Sequence, residues 1–465
     1  MSLFSILNQG SRSMRTATAG VATASNNVAN ANTQGYSRQT LGVEASGTQR
    51  RGGMLMGQGV SASQVTSAYD SFSQRAVLSQ LGSNSYSSSR ASSFEVIEAN
   101  LAEGVDGGLA SAMSQFFDDW AALESDPSST ASRQQLLARG QNLVQRFNSS
   151  AEQLGNEQSN AEARVGQRVA RANILAGQIA TLNAQIVRLE ASGGRANDLR
   201  SNRTQMLEEL SEIGPVNTED RADGSVRVFF ANHILVENDD ARTLSVAADP
   251  VTGFSQVHIA QGSTTFEITS AMSAGSLGAD INVRDAVTVG LLSSLDDLAF
   301  TLSTQVNTIH SAGFGLDGLT GRNFFGPLAA TAGAAQALAL DAAVVGTPDA
   351  IAAATTAAGV PGDNTNAAAI SGLADLNLMA GATQTFGRFY GGFVAGLGQD
   401  AARAYQNEAR SELELSGAKD LRDSISGVNL EEEALDMIRF KDAYSASARV
   451  LSVTTELFDE LLRIV

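Results

Sequence analysis

The chain has 465 residues, with 31 Lys and Arg against 49 Asp and Glu, for a net charge of −18. That length allows roughly two to four domains with substantial cores, and so acidic a balance argues against a nucleic-acid surface or an anionic membrane as partner. Cysteine is absent, which removes disulfides, thiolate nucleophiles and zinc–thiolate sites. No apolar run approaches the ~20 residues of a spanning helix. Met1 to Arg15 lacks a basic start followed by an apolar stretch, so no cleaved signal peptide is expected.

In chain order, steps of four and three from Leu3 give Leu3, Leu7, Gly10, Met14, Ala17, Val21, Ala24 and Val28, a heptad stripe built largely of small residues. Its first charged residues are Arg12 and Arg15. An Asn-rich stretch follows, from Ser25 to Arg38, where Asn side chains can replace turn backbone and Gly35 punctuates the end. Residues 39–67 are polar, Gly-rich and partly alternating, which predicts extended chain or short hairpins. Helical text resumes at about Tyr69 and runs to Leu101, with a Ser-rich interruption from Ser83 to Ser89. Leu109 to Leu123 is amphipathic and carries the only Trp, Trp120.

Asp126-Pro127-Ser128 reads as a turn, and residues 130–191 carry the longest helical pattern, broken by Gly193-Gly194. A further helix spans Asp198 to Ile213 and stops at Gly214-Pro215. The period then changes. Ser225 to Phe230, His233 to Glu237, Phe254 to Ala260 and Thr264 to Ile268 read as strands of a small antiparallel domain. Helix returns from Val283 to His310, followed by a Gly-rich loop with Phe314, Phe324 and Phe325. Residues 326–372 are Ala/Gly-rich text whose fold the sequence leaves open, and helix resumes from about Thr385 to Ser424.

The last stretch is the one around which the chain is organised. Leu430, Ala434, Met437, Lys441, Tyr444, Ala448, Leu451, Thr455, Phe458, Leu462 and Val465 form a second heptad seam, uninterrupted by Pro or Gly. Asn429 can cap its first turn, Glu432 sits where it could reach back, and Glu431 to Glu433 suit the positive end of the helix dipole. Two apolar stripes at opposite ends of one chain predict a helix pair, with Leu3, Leu7, Met14 and Val21 against Met437, Tyr444, Leu451 and Phe458. The N-terminal member is thin, and backbone ordering costs about 1–2 kcal/mol per residue. The pair should therefore order fully only against further copies. An amphipathic pair that closes a monomeric globule reads the same pattern equally well.

The expected fold is α+β and mainly α, with paired terminal coiled-coil helices, a long-helix bundle and an inserted small antiparallel β domain. The predicted division is residues 1–38 plus 428–465 for the terminal domain; 39–214, 281–325 and 373–427 for the bundle; 215–280 for the β domain; and 326–372 for the remaining insert.

No motif carries catalysis. Gly313-Phe-Gly-Leu-Asp-Gly318 matches the dinucleotide fingerprint in letters, but a helix precedes it and further loop follows, where the phosphate site needs a strand and then a helix. His233, His258 and His310 are far apart, with no short metal-ligand spacing. Glu431, Glu432 and Glu433 point to different sides of their helix. No catalytic, cofactor or metal residue is assigned, and the chain reads as a non-enzyme.

Two stretches resemble the axial proteins of the bacterial flagellum. Asn26-Asn-Val-Ala-Asn-Ala-Asn-Thr-Gln-Gly-Tyr-Ser-Arg38 is similar to their N-terminal signature. Ser426-Gly-Val-Asn-Leu-Glu-Glu-Glu433, followed by Ala443-Tyr-Ser-Ala-Ser-Ala-Arg-Val-Leu451, is similar to the C-terminal one. Intermediate matches point to the hook-associated members at the hook–filament junction: Asp126-Pro127-Ser128 with Arg133, Phe147-Asn148, Asn197-Asp198-Leu199 with Arg203, His310 to Phe325, and Gly362-Asp363-Asn364 with Asn366-Ala367. The sequence departs from the family at Glu431, at Lys441-Asp442 and at Arg200-Ser201-Asn202.

The resemblance implies a structural role, assembly as a ring of copies through the terminal helices, and contact with hook protein and the second junction protein. It also implies a cytosolic export chaperone, and an extracellular position in the flagellum reached without a cleaved signal. The assembly residues it singles out are Leu3, Leu7, Met14, Val21, Val28, Asn30, Gly35, Tyr36, Asn429, Leu430, Met437, Tyr444, Leu451, Phe458 and Leu462. The alternatives are the second junction protein or a flagellin, or, in another class, a secreted coiled-coil adhesin or an enzyme carried by the β insert.

Overall fold

The computed structural model describes residues 3–33, 35–51, 54–101 and 108–464. Gln34 and Val465, which belong to the two terminal patterns, lie outside them. Chain-wide the molecule is mainly helical with small antiparallel sheets, the expected α+β class. It divides into two compact units: Met1–Tyr86, Gln167–Leu277 and Arg410–Val465 in the first, Ser87–Gly166 and Gly278–Ala409 in the second. Three of the dividing points fall inside helices α2 (Ser71–Leu101), α4 (Thr130–Glu190) and α10 (Phe386–Ser426).

The first unit holds both termini. Helix α1 (Leu3–Ala29) and helix α11 (Leu430–Ile464) pack on one another. Residues 39–51 pair antiparallel with residues 54–67 as a hairpin, β1 (Gln39–Ala45) on β4 (Val60–Ser67), continued by β2 (Thr48–Arg51) on β3 (Met54–Gly57). Strand β4 runs against α1, with Gly59 close to Gln9.

The β domain has seven strands where the sequence indicated four. Strands β5 (Val216–Asp220), β6 (Val226–Phe230), β7 (His233–Glu237) and β8 (Asp240–Ala241) form one antiparallel sheet. Strands β9 (Leu244–Ala248), β10 (Ser255–Gln261) and β11 (Thr264–Glu267) form another. Strands β5, β8 and β9 escaped the sequence reading because Asn, Asp and Ser dilute their alternation.

Two asparagines of α4 hold these sheets. Asn183 donates to the Val226 carbonyl at 2.8 Å and accepts from the Val226 N–H at 3.1 Å; Asn173 does the same for Leu244, both bonds 2.8 Å. Arg203 of α5 (Asn197–Ile213) is buried and completes the set, donating to Asn183 Oδ1 at 2.9 Å and to the Gly224 carbonyl at 2.8 Å. The motif residue Arg203 is thus a structural fastening, and Asn197 donates to the Val65 carbonyl at 3.0 Å. Burial pulls the Arg203 guanidinium down to about 10, with the Arg200 charge adding to it.

The second unit is built around one apolar core. Trp120, Phe116 and Phe117 of α3 (Leu109–Ser125) meet Phe324, Phe325 and Phe386 there. The stretch from 326 to 372, opaque in sequence, packs into the same core through Ala335, Leu338, Ile351 and Ile370. It folds as short turns with α8 (Ala334–Ala337) and α9 (Thr365–Ser371). Its periodicity was invisible because small residues fill a core whose shape is set by the aromatics. Buried Arg133 donates to the Pro127 carbonyl at 2.7 Å and reaches the carbonyls of Pro348 and Ile351.

Three other expectations are corrected. Helix α2 runs unbroken through Ser83–Ser89, since serine hydroxyls return to the backbone (Ser83 to Ser79, 3.2 Å) and Asn84 reaches Ser411. It starts at Ser71, where Asp70 accepts the Ser73 N–H at 2.8 Å. The helix expected from Val283 starts earlier, as α6 (Gly275–Asn282), and passes through a π-turn (Val283–Val287) into α7 (Thr288–His310). Taken together, Gly275–His310 is long and apolar enough in composition to cross a membrane, contrary to the sequence reading. Yet Leu295, Leu298, Leu302 and Val306 of α7 line the core of the second unit, so this is a core helix.

Candidate functional site at the terminal helices

Helices α1 and α11 run antiparallel. Phe4 meets Phe458 edge to face at 4.9 Å between ring centres, Gly10 lies under Leu451, Gly20 under Phe440, and Asn27 bonds Glu433. The thin residues of α1 now have a reason. A Cβ on Gly20 would stand 2.5 Å from the Phe440 ring, and one on Gly10 3.0 Å from Leu451, so glycine permits the close approach.

The seam is turned by one residue at alternate positions. Gly10, Ala17 and Ala24 of α1 are buried as the stripe predicts, but the intervening places belong to Gly20 and Asn27 rather than Val21 and Val28. On α11 Glu433 and Thr454 are buried and Phe440, Leu451 and Phe458 half-buried on the same side, while Ala434, Lys441 and Thr455 are exposed. An apolar count cannot find this phase, because both choices contain polar residues. The signal was volume: a bulky Phe opposite a Gly.

Of the residues singled out in sequence, Leu3, Leu7, Met14, Val21, Met437, Leu451 and Phe458 are half-buried along the pair. Val28, Asn429, Leu430, Tyr444 and Leu462 face solvent, Leu462 with 70% of its surface exposed. Asn429 caps α11, accepting the Glu431 N–H at 3.0 Å, while Glu432 turns to Arg38 instead of reaching back.

The base of the pair is a polar knot. The Asn27 amide donates to the Gln39 carbonyl at 2.8 Å and to Glu433 Oε2 at 2.9 Å; its oxygen accepts from the Gln39 N–H at 2.9 Å and from the Tyr36 hydroxyl at 2.8 Å. Every polar atom of a buried amide is thereby used. Arg38 holds Glu433 and Glu432, each at 2.6 Å, and its N–H donates to the Ser426 carbonyl at 2.8 Å. Burial acts against the Arg38 charge, but the hydrogen bonds and charges of Glu433 and Glu432 together outweigh it and raise the pKa. Burial, Asp198 and Glu433 push the Tyr36 phenol up to about 12, so it stays a donor. Asn30 bonds back to Asn26, and Gly35, at φ 76°, lets the turn pass close to Ser201 and Gln205.

Sequence reasoning assigned Glu433 to the helix dipole and gave Asn27 and Arg38 no separate role. The mutual reach of one Asn, one Arg and one Glu across the chain was not visible. We expect Asn27→Ala to cost about 2–4 kcal/mol in the first unit, because it takes a partner from one oxygen of the buried Glu433 carboxylate and from three polar groups of Tyr36 and Gln39. Loss of protection in the amides of 36–45, with those of α3 unchanged, is the measurement that checks it.

Among the described residues no group of His, Asp and Glu is placed to hold a metal. The Gly313–Gly318 stretch is a loop in which the Gly315 N–H bonds the Leu319 carbonyl at 3.0 Å and the Arg322 and Asp317 side chains pair.

A family model described as the flagellar hook-associated protein FlgK helical domain matches residues 94–325. One described as the flagellar basal body rod FlgEFG protein C-terminal matches 422–464. The chain is similar to flagellar hook-associated protein 1 of Bacillus subtilis (strain 168), 28% identical over 506 residues, covering 99% of this chain and 98% of that protein. It is similar to the protein of the same name from Escherichia coli (strain K12), 26% identical over 547 residues, covering 99% and 100%. The Salmonella typhimurium relative is 31% identical over 332 residues, covering 69% of this chain and 59% of that one. Among solved structures, the flagellar hook junction protein FlgK from Burkholderia pseudomallei matches with a TM-score of 0.67 at 15% identity, over 75% of this chain and all of that one, a likeness of fold.

Proposed function

Because the chain belongs to the flagellar hook-associated protein 1 family, a family of structural proteins of the hook–filament junction, we propose that it joins hook to filament as a ring of copies packed through their α1–α11 pairs. In this reading residues 1–38 and 428–465 are the assembly module, and the intervening chain is the body it carries.

One observation supports the reading most. Helix α11 has a second apolar stripe, on the side turned from its seam with α1. Leu435, Ile438, Val450, Val453, Leu457 and Leu461 keep between 47% and 66% of their surface in contact with water. A stripe of that length is what a helix presents to a neighbour. The partners that fit are further copies, hook protein on one side and the second junction protein on the other. Before assembly the same stripe invites aggregation, which a cytosolic chaperone holding the C-terminal helix would prevent. Export without a cleaved signal, to an extracellular place in the flagellum, completes the proposal, and the role requires no catalysis.

The test is hydrogen–deuterium exchange on the purified chain alone and on the chain bound to isolated hooks. Amides of 3–29 and 430–464 should exchange fast in the free chain and become protected on hooks, while those of α4 keep one rate. Equal protection of the terminal helices in both samples would end the proposal.

A further inference from the structure

Beside the helix pair lies an open groove of about 610 Å³. Its floor is Ala17, Gly20 and Ala24 of α1; Phe440 and Ala443 of α11 form one wall, and the hairpin forms the other through Leu41, Val43 and Val60. The groove exists because the floor residues are so small and the hairpin stands off from α11. Three charges near its mouth are committed to one another: Arg38 holds Glu433 at 2.6 Å and Asp436 at 3.6 Å. Arg439 also lines it and has no hydrogen-bonding or ion-pairing partner among the described residues. The groove thus has an apolar floor and a charged rim, on which Arg439 is the cation that makes no ion pair among the described residues.

The chain carries a matching shape. Toward the end of α11, Val450, Val453, Leu457 and Leu461 stand out as an aliphatic ridge, each about half exposed. Along one flank of the ridge run the exposed carboxylates of Glu456 and Glu460. Ridge and groove lie about fourteen residues apart on the same helix, roughly 21 Å at 1.5 Å per residue. The ridge cannot reach its own groove. We infer that the groove is the acceptor for the α11 ridge of a second copy, with Arg439 set against the acidic flank of the incoming helix.

This deepens the assembly reading and rests on it. Donor and acceptor are different patches of one chain, the arrangement by which copies add one after another. Side-chain ridges entering a groove also give directional packing that a flat apolar face lacks, and Arg439 against the acidic flank sets the register of the incoming helix.

Because the chain has no cysteine, the contact can be trapped. Copies carrying Ala443→Cys and copies carrying Leu457→Cys are mixed, assembled on isolated hooks and oxidised. A disulfide needs Cα atoms within about 7 Å, so a crosslinked dimer should form in the mixture and be absent when either variant is assembled alone. A second variant, Ala443→Trp, fills the groove at an exposed position and should reduce incorporation on hooks at least tenfold while the circular dichroism of the free chain is unchanged. Normal assembly of Ala443→Trp, or full assembly of the mixture with no crosslink, would overturn the groove assignment and leave the junction role standing. Failure of the unsubstituted chain to add to hooks would overturn the junction role and this contact with it.

Discussion

Leu451→Asp should separate the two terminal helices and abolish incorporation at the hook end. Leu451 sits over Gly10, where a Cβ would stand only 3.0 Å away, so no side chain on α1 there can move aside to hydrate an introduced carboxylate. The loss combines the leucine's packing with the cost of a half-buried charge, about 3–5 kcal/mol in all. Such a loss exceeds what a thin helix pair can be expected to hold in reserve. The damage should stay local, because Trp120 and its aromatic neighbours belong to the other unit. Sedimentation of the variant with isolated hooks, beside denaturant unfolding followed by Trp120 fluorescence, checks both halves. Incorporation at the normal level would show that the α1–α11 seam is not required for assembly.

The second large effect is acid weakening of the second unit through His310. The ring is wholly buried: Nδ1 donates to the Arg322 carbonyl at 2.7 Å, and Nε2 accepts the Ala352 N–H at 3.0 Å. A second proton on Nε2 would break the Ala352 bond and place a cation in the core. Burial thus pulls the His310 pKa down from 6.5 to about 4, reinforced by Arg322 and Arg133 and opposed by the Arg322 carbonyl and Asp341.

The sign follows from proton counting. Above pH 6.5 the imidazole is neutral folded and unfolded, and it contributes no pH dependence. Between 6.5 and about 4 only the unfolded chain takes up the proton, so stability falls as pH falls, by about 3 kcal/mol in total, and then levels off. Asp317, held low by Arg322, and Asp363, held low by Thr365 and Thr355, lose their contributions at more acid pH and leave this window to the histidine. Trp120, 6.1 Å from the His310 ring, reports the transition. His310→Gln should lower stability at pH 7 and flatten the slope between pH 6.5 and 4; an unchanged slope would remove His310 as its source.

Much of the architecture was legible in the residues. Long helices such as α4 and α11 declare themselves by period, since an apolar face must recur every three or four residues wherever a helix packs. The Asn-rich stretch and the acidic start of α11 were readable as turn and cap. The resemblance to flagellar axial proteins rested on those same residues, and it identified a family that the relatives support. The 326–372 stretch was not readable, because alanine and glycine have no period to show. They become a core only when Phe324, Phe325 and Trp120 supply the bulk around them.

The sequence by itself determined that both termini are helical, that they carry apolar stripes, that the chain has no thiol, and which family it resembles. Hydrophobic spacing and local capping are properties of neighbours along the chain, so no fold is needed to read them. The tertiary structure alone decided the phase of the seam, through Gly20 beneath Phe440. It also decided the use of Asn27, Arg38 and Glu433 as a knot, and the division of α11 into one covered stripe and one bare one. Each of these depends on volumes and charges brought together from opposite ends of the chain, and only the closed fold fixes those distances.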